Sequence, residues 1–208
     1  MESKKYEIVE DDFIIHKGRK LYRIRALKGL NLDTYTYRLT VKKGDIGGYV
    51  EGYHNLSQEG NCWISEDSKV YEDARVSDNA LVGVQAEIYG NARAEDRAIV
   101  EDDAKVYGNA VIGYNARVDG CAKVYGNARV VFFAAVKENS KIYGNAKVTD
   151  SAIIWNSEIC GNAKVKDCAK IFDNFLIHGN AIIGEFTELE EGAKEFSGNC
   201  AIFDSRYI

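Results

Sequence analysis

The chain contains no proline in its 208 residues. Its turns must therefore be made by Gly, Asn and Asp, which tolerate left-handed backbone, and glycine is plentiful at 19. Cysteine is sparse and scattered: Cys62, Cys121, Cys160, Cys168 and Cys200 form no CxxC pair. That pattern suggests neither a zinc site nor a disulfide framework, and the simplest expectation is reduced thiols in a cytoplasmic protein. No apolar run is long enough to span a bilayer, and the charged opening MESKKYEIVEDDF lacks a signal-peptide core. A strong charge bias is missing as well. The 27 basic and 32 acidic residues leave a net charge of -5, which argues against a dedicated nucleic-acid binder.

What the sequence does have is a period. VYEDARV starts at Val70, IYGNARA at Ile88, VYGNAVI at Val106, VYGNARV at Val124 and IYGNAKV at Ile142, each 18 residues after the last. ICGNAKV at Ile159, IHGNAII at Ile177 and FSGNCAI at Phe196 follow at steps of 17, 18 and 19. Each unit divides into three hexapeptides with an aliphatic residue at position 1 and a small one, usually Ala, at position 5. Strand side chains alternate, so positions 1 and 5 point inward and 2, 4 and 6 outward. The apolar residues do not recur at helical spacing. Such repeats imply an all-β fold, a parallel β-helix of about eight coils over residues 58–208. At ~4.8 Å per coil it would be about 40 Å long and stabilised by stacking.

Residues 1–57 lack the hexapeptide rule and read as a β-rich N-terminal cap. Strands at 13–15 and 21–27 flank a turn at His16–Arg19, and TyrThrTyrArgLeuThrVal at 35–41 alternates like a third strand. Gly44, Gly47 and Gly48 mark a tight connection. No comparable cap precedes the end beyond Arg206, so the last coil is expected to be open or covered by another subunit.

GlyAspIleGlyGlyTyrValGlu at 44–51, followed by AsnLeuSerGlnGluGlyAsnCysTrpIle at 55–64, resembles the junction of YdcK-like bacterial and phage-type hexapeptide-repeat proteins. The resemblance implies a single-stranded, left-handed β-helix. Members of that family are labelled acyl- or nucleotidyl-transferases without sharing a catalytic motif, so it implies the fold more than an activity.

Few residues offer chemistry. Hexapeptide-repeat acyltransferases use a histidine base beside an acyl-carrier groove. His178, in IHGNAII, is the one coil histidine and hence the only catalytic candidate, although it occupies an outward slot that holds Tyr in five other coils. One coil histidine cannot build the three-histidine metal site of β-helical carbonic anhydrases. The Gly-Asn pairs are corner turns, not a phosphate loop. No metal or cofactor is expected.

Two surfaces remain. Tyr71, Tyr89, Tyr107, Tyr125 and Tyr143 share position 2, and Arg75, Arg93, Arg129, Lys147 and Lys164 share position 6, with Val111 interrupting the basic row. On one face they would form an aromatic and basic stripe with cation–π contacts, either a self-stabilising ladder or a docking surface. Phe133, in a normally polar corner, and Trp155, in a shortened hexapeptide, are candidate interface residues. Phe175, in an alanine slot, reads as core filling. These features point to a non-catalytic binding or assembly module, a homo-oligomer whose stripe meets a partner or a small anionic ligand. The alternatives are a hexapeptide-repeat acyltransferase with His178 as base, and a phage-encoded inhibitor of a host protein.

Overall fold

The computed structural model describes residues 4–36, 38–190 and 194–203, all of them strand, turn or loop. From Ile46 onward the chain winds as a parallel β-helix of about eight coils and three walls. Each wall receives one short strand per coil. The first wall runs from Lys69–Val70 through Glu87–Ile88 to Glu195–Phe196, the second from Arg75–Val76 to Ala201–Phe203, and the third from Trp63–Ile64 to Glu188–Leu189. Register is one residue per rung, as in Val106 against Val124 and Lys105 against Lys123. The expected inward slots hold throughout: Val106, Ile112, Val118 and Val124, with Ala110, Ala116 and Ala122 at the corners, are fully buried. Each buried valine or isoleucine contributes about 1.5–3 kcal/mol, but only when the rungs above and below cover it.

Among the described residues each corner places one residue at positive φ, except that at Asp173 and Asn174, which places two. Glycine fills that slot between the first and second walls in most coils, from Gly90 to Gly198. At the other corners Asp is the commonest occupant, yet Glu66, Glu138 and Glu185, and also Val84 (φ 62), Tyr114 (φ 57) and Phe132 (φ 65), adopt it. A β-branched residue is strained there by about 1–2 kcal/mol. Val84→Asn is therefore expected to raise the melting temperature by about 2–4 °C, and a decrease in a thermal scan would contradict that reading.

The cap is built differently from the expected three-stranded unit. Strand β1 (Tyr6–His16) and β2 (Arg19–Ala26) form the anticipated antiparallel hairpin around Lys17 and Gly18. The segment read as a single third strand is instead part of a second hairpin, β3 (Leu30–Asp33) with β4 (Arg38–Val41). Next, β5 (Ile46–Val50) pairs antiparallel with β2 and parallel with Lys69–Val70, so the β1–β2 hairpin extends the first wall. Leu56 bridges Val76 in the same way on the second wall. Coiling thus begins inside the junction. Gly47 and Gly48 lie within β5 rather than in a turn, because a Cβ on either would come within 2.5 Å of Ile64. The opening segment is pinned by buried Lys5, whose Nζ donates to the carbonyls of Cys62 (3.0 Å) and Glu59 (3.2 Å).

The β3–β4 hairpin is a strap. Leu30, Leu32 and Val41 are buried in one cluster with Trp63 and Leu81, outward residues of the third wall that are only 2% exposed. Ile99, the next residue in that column, is buried as well. At the hairpin's tip Tyr35 meets Phe133 edge-on, with ring centroids 5.4 Å apart. From Trp63 to Phe133 is four rungs, about 19 Å, which matches the reach of the five residues from Leu30 to Tyr35 at ~3.4 Å each. The strap therefore runs along the stack, across its strands. The expected open C-terminal end falls on residues 204–208, outside those described.

Candidate functional site

The tyrosine slot produces a continuous ladder on the first wall. Tyr71, Tyr89, Tyr107, Tyr125 and Tyr143 stack with centroid spacings of 4.8–5.1 Å and interplanar angles of 1–6°. One rung is one ring-to-ring step, so backbone geometry alone aligns them. The faces of the inner rings are covered by their neighbours. Edges and hydroxyls are what they offer outward, and a ring edge carries the positive end of the aromatic quadrupole. Burial pushes the Tyr89, Tyr107 and Tyr125 phenols above their usual range, so they remain protonated donors.

The N-terminal end of the ladder is closed. Tyr71 is 1% exposed, beneath the β1–β2 hairpin, and so is not part of an outer stripe. It packs with Leu21 and Tyr49, and His16 meets it edge-on. Its hydroxyl donates to Glu87 (2.9 Å) and accepts from Lys17 (2.8 Å). Glu87 also binds Lys17 (2.8 Å), His16 (3.3 Å) and Lys105 (3.3 Å). Burial by itself would raise the Glu87 carboxyl, but hydrogen bonds from Lys17 and Tyr71 and the charges of Lys105 and Lys17 hold it at about 2. At the other end the Tyr143 hydroxyl donates to Glu158.

The basic row does not lie beside the rings. Arg75, Arg93, Arg129, Lys147 and Lys164 begin strands of the second wall, across the Gly-Asn corner. The backbone turns at positions 3 and 4, so position 6 belongs to the next wall. The expected arginine–tyrosine cation–π contacts are therefore replaced by Lys17, 5.4 Å from the Tyr71 ring centre and 4.7 Å from that of Tyr89. The first wall's own charged column is Lys69, Glu87, Lys105, Lys123, Lys141 and Glu158. Lys141 pairs with Glu158 (3.5 Å), whereas Lys123 has no ion-pair partner among the described residues.

The corner between these walls carries a second ladder. Asn91, Asn109, Asn127, Asn145, Asn162 and Asn180 each donate an amide hydrogen to the side-chain carbonyl oxygen of the next, ending on Asn199, at 3.0–3.1 Å. These residues had read only as turn formers. Their recurrence in one slot, one rung apart, was the signal that could have shown the ladder.

The other candidates are dispersed. His178 lies above Cys160 in the tyrosine column, and its Nε2 contacts Glu195 at 2.8 Å. Phe133 is half exposed against Tyr35, and Phe132 stacks on Tyr114 at 4.6 Å. Trp155 is partly exposed on the third wall with Lys137 near its ring, a rung apart from Phe133 and at the opposite edge of that wall. Phe175 is buried, as expected. A shallow depression at the shortened coil is lined by Asn139, Lys141, Asn156, Glu158 and Leu176, without His178. Among the described residues no cluster of His, Cys, Asp and Glu could hold a metal, and no helix is long and apolar enough to cross a membrane. All five cysteines are free. No protein-family model matches the chain, and no curated protein matches it.

Proposed function

We propose that the chain is a non-catalytic binding module whose first wall receives an anionic partner surface or ligand. One observation carries this reading. Tyr89, Tyr107 and Tyr125 present three hydroxyls in register, with no protein partner among the described residues, beside the unpaired Lys123. Donors repeated on a rigid wall suit carboxylate, sulfate or phosphate oxygens, and charge-assisted hydrogen bonds are the stronger kind. Face-to-face stacking leaves the inner rings no free π-face, which disfavours sugars or bases that bind by stacking. The resemblance to hexapeptide-repeat proteins is compatible with such a role without requiring catalysis.

The test is retention of the full chain on immobilised polyglutamate and on heparin at low salt. Tyr107→Phe with Tyr125→Phe and Lys123→Glu should weaken retention about tenfold, a loss of ~1.4 kcal/mol, while preserving the ladder's packing. Equal retention of this variant, or no retention of the natural chain on either polymer, would refute the reading.

A further inference from the structure

We infer that the second wall is a self-complementary surface for a second copy of this chain, related by a two-fold axis parallel to the β-helix axis. The inference is independent of the first-wall proposal and rests on an unsatisfied charge pattern.

Arg75, Arg93, Arg129, Lys147 and Lys164 are all exposed, and none has an ion-pair partner among the described residues. Arg75 lies directly against Arg93, Arg129 against Lys147, and Lys147 against Lys164. Like charges one rung apart repel. Three residues further on, at the opposite edge of the same wall, stands an acidic column: Asp78, Asp96, Asp150, Asp167 and Glu185, every one at the positive-φ corner. Asp78, Asp96, Asp150 and Asp167 each use Oδ2 to accept the backbone amide of the next rung, at 2.9–3.2 Å. Ser77 and Thr149 also donate to the carboxylates of Asp78 and Asp150, so no cation of the same chain pairs with Asp78, Asp96 or Asp150 among the described residues. Cation and acid are about 10 Å apart across the wall, too far to neutralise each other within one molecule.

A two-fold axis parallel to the stack sets each rung against the same rung of a second copy and reverses the strand direction across the wall. Position 6 of one copy then faces the corner residue of the other. The pairs become Arg75 with Asp78, Arg93 with Asp96, Lys147 with Asp150 and Lys164 with Asp167, each formed twice. The interruptions also coincide. Val111, the gap in the cationic column, faces Tyr114, and Arg129 faces Phe132, the two aromatics that interrupt the acidic column. Tyr114 and Phe132 are 49% and 40% exposed. The result is an apolar, aromatic centre between charged ends, the usual anatomy of a specific interface.

Between the columns run Ser77, Gly113, Val131, Thr149 and Gly184, small enough for close approach, and the Lys166 ammonium is already held by Asp167 (2.8 Å). Glu95 and Lys166, which hold the same slot, each face their own copy as like-charge contacts, and Arg129 against Phe132 and Ile182 against Glu185 are the rungs whose charge meets no opposite charge. Any partner must repeat its charges every ~4.8 Å, whereas an extended peptide repeats one face every ~7 Å and stacked nucleic acid its phosphates every ~3.4 Å. A copy of the same β-helix matches by construction. Seven rungs by four residues, about 34 by 13 Å, would bury about 900 Å² in all, the size of a weak, salt-sensitive interface.

Sedimentation of the full chain tests the inference. The natural chain should be a dimer that weakens with salt. Arg93→Glu with Lys147→Glu should be monomeric, and so should Asp96→Lys with Asp150→Lys. An equimolar mixture of the two should recover the dimer, since every reversed pair is again opposite in sign. Circular dichroism confirms that each variant is folded, and Lys123→Glu on the first wall should leave the dimer intact. A natural chain that is monomeric at its highest soluble concentration would overturn the inference, and so would a dimer indifferent to these reversals or folded variants that fail to re-associate.

Discussion

Phe175→Ala, which gives position 5 of its hexapeptide the alanine used by the rest of the repeat, is expected to cost about 3–5 kcal/mol rather than to help. Repeat statistics point the other way, because alanine is the standard occupant of that slot. The shortened hexapeptide ending at Glu158 removes one residue from the corner below, and the larger ring occupies the space a full-length corner would fill. Phe175 is 1% exposed, stacks against Phe196 at 6.1 Å, and its backbone amide donates to the Ser157 hydroxyl at 3.2 Å. An alanine would leave a cavity that these neighbours could only partly collapse into. Thermal unfolding should drop by about 10 °C at 2–4 °C per kcal/mol. An unchanged or higher melting temperature would show that the slot is not filled as described.

Acid should release the β1–β2 hairpin before it unfolds the coils. Glu87 joins His16 and Lys17 at the hairpin's tip to Tyr71 and Lys105 on the first wall. Its carboxyl is held at about 2 against an ordinary 4.5. A folded-state value below the unfolded one means the stabilisation is complete above pH 4.5 and is lost as pH falls from there toward 2. The size is about 3 kcal/mol at ~1.4 kcal/mol per unit. Protection of the amides across residues 14–21, measured as the exchange rate relative to the intrinsic rate at each pH, should fall over that window while amides of the central coils stay protected. In Glu87→Gln the lower protection should already be present at pH 7 and change little on acidification. A natural chain whose hairpin protection is the same at pH 5 and pH 2.5 would contradict the account.

How far the fold could be read from residues follows from what repeats. The inward valines, isoleucines and alanines recur in fixed slots, so the walls, the coil length and the aligned tyrosines were legible. The basic row was assigned to the wrong wall for a physical reason. A hexapeptide was taken as one face, but its backbone bends at positions 3 and 4, so Tyr107 and Val111 look out of different walls. Non-repeating contacts were less legible. Tyr71 has the same slot as Tyr107, and only the long-range docking of the hairpin buries it. The strap was obscured because Leu30 and Leu32 alternate over just four residues, and because Tyr35 at its turn reads in sequence as the start of a longer strand. The asparagine ladder could have been inferred, since the argument that stacks tyrosines one rung apart also brings side-chain amides within hydrogen-bonding distance.

The central claim is that residues one coil apart are one rung apart, along straight outer walls. Spin labels placed in pairs on the first wall of a cysteine-free background, at Lys69 with Lys105, Lys141 or Glu195, measure this by pulsed electron paramagnetic resonance. The separations should grow in proportion to rung number, to about 19 Å at Lys141 and about 34 Å at Glu195 at ~4.8 Å per rung. Distances that stay flat or reverse along that series would show that the coils do not stack in this order.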